Sequence, residues 1–355
     1  MELPHHVREG VRGAERSARL SSIGRLAPGL AVAVAVAIVA RLVADAAPAY
    51  LNEILVAVLL GIVFANVGRP LPASVAPGVR FAVQRVLRFG IILLGARLSL
   101  QAVVAIGAGA LGLVLVSMSV AFTAAILVGR GLRLPPRLAL LIGVGTAVCG
   151  NSAIVATAPV IDAEDRETSF AVATITLFGT LALFLYPFIG HALALGDTTF
   201  GVWSGVAVND TSQVVATSGA YSLAARDVAT VVKLVRNALM APLIVGIAWW
   251  WRRSGEAAGQ NVGRSVRSAV PLFVLGFLAL ALLRTLGIIT PALAGPIDYA
   301  ATTLILIALA GVGLNTRVVQ LRSIGATPFF AGLATASVLA ALSLSVIVGL
   351  GVAPH

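Results

Sequence analysis

The chain has 355 residues, of which 59% are hydrophobic and 11% charged, and its formal net charge at pH 7 is +11. A soluble domain carries about 25% charged residues, so this composition excludes an ordinary soluble protein and predicts a polytopic membrane protein. The basic residues lie in short segments between apolar runs, a pattern typical of positive-inside topology and not of nucleic-acid binding. We therefore expect a lipid bilayer as a partner, and no nucleic acid.

The N-terminal residues 1–25 contain five arginines, and we interpret them as a basic cytosolic tail. The apolar run that follows ends near Ala44-Asp45-Ala46, which loosely resembles a signal-peptidase site. An uncleaved first transmembrane helix is the preferred interpretation, because further apolar runs follow at once. Residues 26–350 are then expected to form a single transmembrane domain.

The chain is expected to be an all-α protein of about eleven transmembrane helices, because a span needs about 20 apolar residues. The segments are 26–46, 51–68, 86–100, 102–129, 138–160, 169–192, 200–221, 228–251, 268–287, 298–316 and 324–350. The segment 200–221 is the least regular, because polar residues interrupt it. With the N-terminus in the cytoplasm, alternating sides puts most of the 25 basic residues in cytosolic segments and the C-terminus outside. The outer segments hold only Arg97, Arg166, Arg226 and Arg284.

Two of these segments contain glycine, amide and hydroxyl residues at mid-membrane depth: 143–159 and 205–219. Irregular backbone is tolerated there only where it lines protein or water, and such interruptions indicate a transporter's binding site. Asn151 or Ser152 would N-cap a half-helix in the first segment, and Asp210, Thr211 or Ser212 would N-cap one in the second. The alternative is that the small and hydroxyl residues serve helix packing.

Lys233 is the only lysine of the chain, and it lies in the apolar segment 228–251 with Arg236 one helical turn later. The two side chains share a helix face. Each cation costs roughly 2.5–3.5 kcal/mol at a bilayer centre, which indicates a polar cavity and an anionic cargo. The predicted substrate-binding residues are Lys233, Arg236, Gly150, Asn151, Ser152, Thr211, Ser212 and Gln213.

Asp210 is the only acidic residue placed away from the ends of a predicted span, and with Asn209 it is the predicted ion-coupling element. Its carboxylate is interpreted as a proton carrier, a Na⁺ ligand or a counter-ion to Lys233 and Arg236, with a helix cap as the alternative. Lys233 has the alternative of a structural ion pair with Asp210. Arg236 has the alternative of reaching towards a membrane interface.

Cys149 is the only cysteine, and the four histidines lie in the tail, a loop and the C-terminus. No Cys–His pair, metal-ligand spacing or nucleotide-binding motif is evident, so we expect neither an enzyme nor a metal or other cofactor. A membrane enzyme or thiol sensor based on Cys149 and a non-transporting scaffold remain alternatives. A homo-oligomer is compatible with the sequence but is not determined by it.

Several short motifs occur together over nearly the whole chain after residue 26. They are Gly90-Ile-Ile-Leu-Leu-Gly-Ala-Arg-Leu98, Cys149-Gly150, Val155-Ala-Thr-Ala-Pro159, Phe178-Gly-Thr180, Phe184-Leu-Tyr-Pro187, Ser212-Gln-Val-Val-Ala216, Lys233-Leu-Val-Arg236, Leu239-Met-Ala-Pro242 and Gly313-Leu-Asn-Thr316. With these motifs the chain resembles the YeiH family of bacterial inner-membrane proteins, which are often labelled sulfate exporters. That family is distantly similar to the bile-acid/sodium symporter folds. Some relatives carry His-Glu at Asn209-Asp210, or an acid at Ala158, so the resemblance does not imply proton coupling through these positions in this chain.

The resemblance implies an inner-membrane location and a core of crossed, broken helices. Leu94-Gly-Ala-Arg-Leu-Ser99 also resembles Ala310-Gly-Val-Gly-Leu-Asn315 at the ends of oppositely directed spans, and we expect an inverted repeat of about five helices plus one. The function hypothesis is a secondary transporter that exports or exchanges a small, sulfate-like anion by alternating access. The main alternative is a Na⁺- or H⁺-coupled carrier of an organic anion, with Asp210 binding the cation.

Overall fold

The computed structural model describes residues 5–46, 52–67, 72–253, 272–317 and 326–350, and within these ranges every regular element is a helix. The α-helices are α1 His5–Ala46, α2 Glu53–Asn66, α3 Ala76–Phe81, α4 Leu87–Leu94, α5 Leu100–Gly131, α6 Pro136–Ala147, α7 Asn151–Thr157, α8 Asp165–Ala192, α9 Asp197–Ala207, α10 Thr211–Tyr221, α11 Leu223–Ala238, α12 Met240–Arg253, α13 Leu272–Thr285, α14 Pro291–Asn315 and α15 Ala326–Leu350. A π-helical turn, Ala82–Val86, joins α3 to α4, and 3₁₀ turns follow α4 at Gly95–Arg97 and α7 at Ala158–Val160.

The prediction of an all-α polytopic membrane protein is confirmed. Among the residues that the structure describes, six helical stretches are long and apolar enough to cross a bilayer: Gly24–Ala46, Leu100–Gly131, Asp165–Ala192, Leu223–Arg253, Ala292–Asn315 and Ala326–Gly349. Three shorter apolar helices are Glu53–Asn66, Pro136–Ala147 and Leu272–Thr285. Each predicted segment coincides with a helix or with a pair of half-helices, while the count of eleven crossings stays a prediction.

The predicted boundaries are least accurate where charged residues begin a helix. The segment predicted at 86–100 is helical from Ala76. The prediction began too late because Arg80, Arg85 and Arg88 lower the hydropathy of the first turns, although they do not break the helix. The predicted starts at 51, 268 and 324 and the first four residues of the tail lie outside the described residues.

The chain divides into two compact units, and the first comprises Met1–Gly90 and Thr302–Arg317. Pairs of glycines set its helix contacts. A Cβ atom on Gly29 of α1 would lie 2.6 Å from the Cα of Gly78, and one on Gly61 of α2 would lie 2.9 Å from the Cα of Gly313 in α14. Small residues allow such close backbone approach in membrane helices, so a side chain at either pair would separate the helices. The expectation of a single domain over 26–350 stays a prediction.

The second unit comprises Ile91–Ala301 and Val318–His355 and contains a cluster of buried apolar side chains, built mainly from α5, α6, α8, α9, α11, α12 and α15. Trp203 of α9 belongs to this cluster and is almost fully buried. Its indole stacks on Tyr186 of α8 at 4.4 Å between ring centroids and donates a hydrogen bond of 3.0 Å to the carbonyl of Ala340 in α15. These contacts bind three helices together and hold α9 in place beside α11.

Candidate functional site: a crossing of two interrupted helices

The first predicted interruption lies between α6 and α7, where Val148, Cys149 and Gly150 leave the helical path. Gly150 has φ +64° and ψ −126°, a conformation that side-chain-bearing L-residues rarely adopt. The second interruption lies between α9 and α10, where Val208 and Asp210 are extended. Both interruptions were predicted from Gly, Asx and hydroxyl residues within apolar segments.

The two interruptions contact each other. A Cβ atom on Gly150 would lie 3.3 Å from the N, Cα and Cβ atoms of Asp210. The backbone conformation at position 150 therefore favours glycine, and a Cβ there would also require Asp210 to move by a few tenths of an ångström. We call this point, with residues 148–152 and 208–212, the crossing.

Lys233 of α11 is fully buried and joins the two sides of the crossing. Its Nζ donates hydrogen bonds to the carbonyls of Val148 at 2.7 Å and Val208 at 3.1 Å, and also to the carbonyl of Asn209. An ammonium group has three N–H donors, so these three acceptors match its full capacity.

Arg236 is buried one turn further along α11 and binds the ends of α6 and α9. Its Nη2 donates to the carbonyl of Thr146 at 2.6 Å and its Nε to that of Ala147 at 3.1 Å. Its Nη1 donates to the carbonyls of α9 and of the following turn, namely those of Gly205 and Val208, each at 3.1 Å, and that of Val206. The last carbonyls of a helix lack hydrogen-bond donors within the helix and carry partial negative charge. Lys233 and Arg236 supply both the missing donors and the opposite charge.

The structure thus differs from the prediction that Lys233 and Arg236 line a polar cavity. Every nitrogen of both side chains donates to a backbone carbonyl, so in this conformation neither faces an open cavity. A direct contact with an anion stays a prediction. Neither cation forms an ion pair with Asp210 within 4.0 Å among the described contacts. Arg236 is buried, with its nitrogens bound to the carbonyls at the ends of α6 and α9.

Asp210 caps α10. Its Oδ1 accepts hydrogen bonds from the backbone N–H of Ser212 at 2.9 Å and from the Ser212 hydroxyl at 2.6 Å. Gln213 completes a capping box, because its Oε1 accepts from the N–H of Asp210 at 3.4 Å. The helix-cap alternative for Asp210 is therefore confirmed as a structural role, and a further role in ion coupling remains untested.

The other predicted site residues fall into an accessible and a buried group. Ser152 is exposed, and Asn151, Asp210 and Thr211 are half-buried. Gly150, Asn209, Ser212 and Gln213 are buried. A solute that enters the crossing would therefore contact the exposed and half-buried residues, and the buried residues would pack behind these.

Thr176 and Thr180 of α8 form hydrogen bonds with residues of the candidate site, and the sequence did not identify them as site residues. Asn151 donates to the hydroxyl of Thr176 at 3.2 Å, while Gln213 donates to the carbonyl of Thr176 at 3.2 Å and lies 3.5 Å from the hydroxyl of Thr180. Gly179 leaves room for Gln213, since a Cβ there would lie 1.8 Å from its Oε1. The spacing of Thr176, Gly179 and Thr180 places them on one helix face, which is a signal that could have found them.

Three buried amide oxygens near the crossing have no hydrogen-bond donor among the described contacts: the Oδ1 atoms of Asn151, Asn209 and Asn237. Asn237 lies one residue after Arg236 and donates to the hydroxyl of Thr211 at 3.3 Å. An unsatisfied buried acceptor costs about 1–3 kcal/mol, so a proton donor or a cation that reached these oxygens would stabilise the site.

Cys149 is buried within the first interruption, and its Sγ lies 3.1 Å from the Sδ of Met240. A thioether is not a base, so this contact does not activate the thiol as a nucleophile. Within the described ranges, no group of three or more His, Cys, Asp or Glu side chains is placed to hold a metal ion.

Comparison with known proteins identifies relatives over most of the chain. The family described as conserved hypothetical protein 698 matches residues 28–332. A UPF0324 membrane protein of Rhizobium meliloti is 37% identical, with 91% of each chain covered. A UPF0324 membrane protein of Bacillus cereus is 35% identical, again with 91% of each chain covered, and one of Corynebacterium glutamicum is 30% identical over 92% of this chain and 93% of its own. No solved structure matches this chain.

Proposed function

The protein belongs to the YeiH-like family of membrane proteins described as conserved hypothetical protein 698, and on that premise we propose that it is a secondary transporter of a small, sulfate-like anion in the bacterial inner membrane. It would act as a carrier and not as an enzyme. The observation that carries the proposal is the crossing itself, where two interrupted helices meet beside two buried cations. Discontinuous helices of this kind form the midplane sites of many transporters.

The charges of the crossing favour an anion. Lys233 and Arg236 together oppose a single carboxylate, that of Asp210. Each interruption contributes one helix C-terminus and one helix N-terminus, and their partial charges of roughly half a unit largely cancel. One positive charge is left in excess in a poorly solvated region, and it would attract an anion that enters the crossing.

The accessible residues supply uncharged donors for such an anion. Ser152 and Thr211 offer hydroxyls and Asn151 an amide, on the side of the crossing that is not fully buried. In this conformation Lys233 and Arg236 would attract the anion electrostatically without contacting it, because their N–H donors are bound to carbonyls. Alternating access would change the position of the crossing relative to the two membrane faces while the cations keep the half-helices joined.

The test is radiolabelled sulfate flux in proteoliposomes. Lys233→Met is expected to abolish flux, because the excess positive charge disappears, and Ser152→Ala to reduce it. The matched control is Ser119→Ala, which removes an exposed hydroxyl of α5 that donates to the carbonyl of Leu115 and should leave flux unchanged. Wild-type flux from a Lys233→Met protein of normal thermal stability would remove Lys233 from the mechanism, and a wild-type protein that carries no anion would remove the whole proposal.

A second candidate function is a Na⁺-coupled carrier of an organic anion, and the unpaired oxygens of Asn151, Asn209 and Asn237 favour it. Oxygen atoms near unwound backbone are the usual ligands of coupling ions in transporters. Asp210→Asn separates the two functions, because asparagine caps a helix as well as aspartate does but removes the negative charge. Loss of a Na⁺-dependent flux in this variant, with stability retained, would support cation coupling, whereas flux that never depends on Na⁺ would exclude it.

A further inference from the structure

A cavity of about 130 Å³ lies away from the crossing, within the second unit, where α5 ends, α6 begins and α12 ends. A water molecule's share of the liquid is about 30 Å³, so the cavity has room for a group of about four heavy atoms. Its walls include Ile126, Leu134 and Leu140, the indoles of Trp250 and Trp251, and one charged side chain, that of Arg130. It is therefore amphipathic, with an apolar wall and a cationic edge.

Trp251 adds a polar group to this apolar wall. The residue is 4% exposed, and its Nε1–H has no hydrogen-bond acceptor among the described contacts. Buried indole N–H groups usually find an acceptor. A ligand with an acceptor atom close to its apolar part would satisfy this donor after a small movement of the ring.

The segments around the cavity are strongly basic. Residues 126–140 and 249–253 contain five arginines and no acidic residue. Arg130, Arg133, Arg252 and Arg253 are exposed, and Arg253 lies 4.0 Å from the ring centroid of Trp249. Clustered arginine and tryptophan are typical of a membrane–water interface, so this cavity opens where lipid headgroups lie.

We propose that the cavity binds an anionic phospholipid of the adjacent leaflet, with its phosphate against Arg130 and the glycerol end of an acyl chain between the leucines and the indoles. Basic pockets between transmembrane helices are suited to anionic headgroups. A free phosphate ion makes no favourable contact with the apolar wall. A phospholipid has an anionic group followed by a hydrocarbon chain, which match the cationic edge and the apolar wall of the cavity.

The experiment measures lipid binding to the purified, full-length protein in a neutral detergent by native mass spectrometry, together with thermal unfolding. The probes are phosphatidylglycerol, phosphatidylcholine and inorganic phosphate. Phosphatidylglycerol should bind and raise the unfolding temperature. Arg130→Gln should weaken its binding about tenfold, the scale of one hydrogen bond to a charged group. Trp251→Phe, which keeps an aromatic ring, should weaken it about fivefold.

The matched control is Arg252→Gln, since Arg252 is exposed and adjacent to Trp251 but does not line the cavity. It should change phosphatidylglycerol binding less than about twofold, as expected of a screened surface charge. Equal loss in Arg252→Gln and Arg130→Gln, or equal binding of phosphatidylcholine, would overturn the proposal in favour of unspecific attraction. An equal thermal shift with inorganic phosphate would overturn it in favour of a free-anion site. If Arg130→Gln fails to fold, Trp251→Phe decides between the same outcomes.

Discussion

Lys233 and Arg236 remain in an apolar region because their donors meet carbonyls that have no other partner. The last carbonyls of α6 are shared between the backbone and these side chains: Val144 and Gly145 accept from the N–H groups of Val148 and Gly150, while Thr146 and Ala147 accept from Arg236. The desolvation of a cation is costly, but here it is offset by satisfying two helix ends at once. The two residues are therefore structural elements of the crossing, whatever solute it binds.

At the residue scale, Gly150→Ala tests the geometry of the crossing. Alanine should destabilise the protein by about 1–3 kcal/mol, because φ +64° is strained for it and its Cβ would press on the backbone of Asp210. Sulfate flux should fall with it. The matched control is Gly112→Ala, since Gly112 is exposed inside α5 with open space around its Cα. There alanine should be neutral or stabilise by up to about 1 kcal/mol. Equal unfolding temperatures for the two variants would contradict the strained turn.

At the scale of elements, a cluster of four charges ties the end of α4 to α11 and α14. Arg97 lies 3.1 Å from a carboxylate oxygen of Asp227 and 3.2 Å from one of Asp298, and Arg226 lies 3.3 Å from the other oxygen of Asp227. Arg226 is fully buried. Arg97 and Arg226 were predicted in outer segments, but the ion pairs of Arg97 were not predicted, because Asp227 and Asp298 come from distant parts of the chain. Asp227 is the sequence neighbour of Arg226, and this pair was not predicted either.

The two aspartates of this cluster should differ in their effect on stability. Asp227→Asn is expected to cost about 3–5 kcal/mol, because it leaves the buried Arg226 without a counter-charge. Asp298→Asn should cost less than about 1 kcal/mol, because its ion pair with Arg97 is about one-third exposed on both sides. Thermal unfolding of both variants in the same detergent measures the difference. A cost for Asp298→Asn as large as for Asp227→Asn would show that the cluster acts as one unit.

At the scale of the whole molecule, the distribution of arginines predicts the orientation in the membrane. In a Cys149→Ala background, a cysteine at Leu286 should react with a membrane-impermeant maleimide in intact cells, because the loop after α13 is predicted to be outside. A cysteine at Gly131 should react only after permeabilisation, because the loop after α5 is predicted to be cytosolic. Both positions are exposed, so slow reaction cannot be ascribed to burial. The reverse labelling pattern would invert the proposed topology.

The helices and the two interruptions could be predicted because both depend on local composition. A bilayer requires long apolar helices, and Gly150, Asn151, Asp210 and Thr211 are of residue types that favour the start or the end of a helix. Asp210, Thr211 and Ser212 also predicted that a half-helix begins there, and in the structure Asp210 is its N-cap. The support from Thr176 and Gln213 was not predicted, because it depends on how α8 packs against α10.

The sequence by itself determined that the chain is a membrane protein, where its helices break, and that two cations lie on one face of α11. Only the tertiary structure decided what those cations bind. Their partners are backbone carbonyls, and every residue carries one, so no sequence pattern can distinguish the carbonyls of Val148 or Val208 from any other. A helix end becomes a partner for a charge only when folding brings it within hydrogen-bonding distance, and that depends on packing over the whole unit.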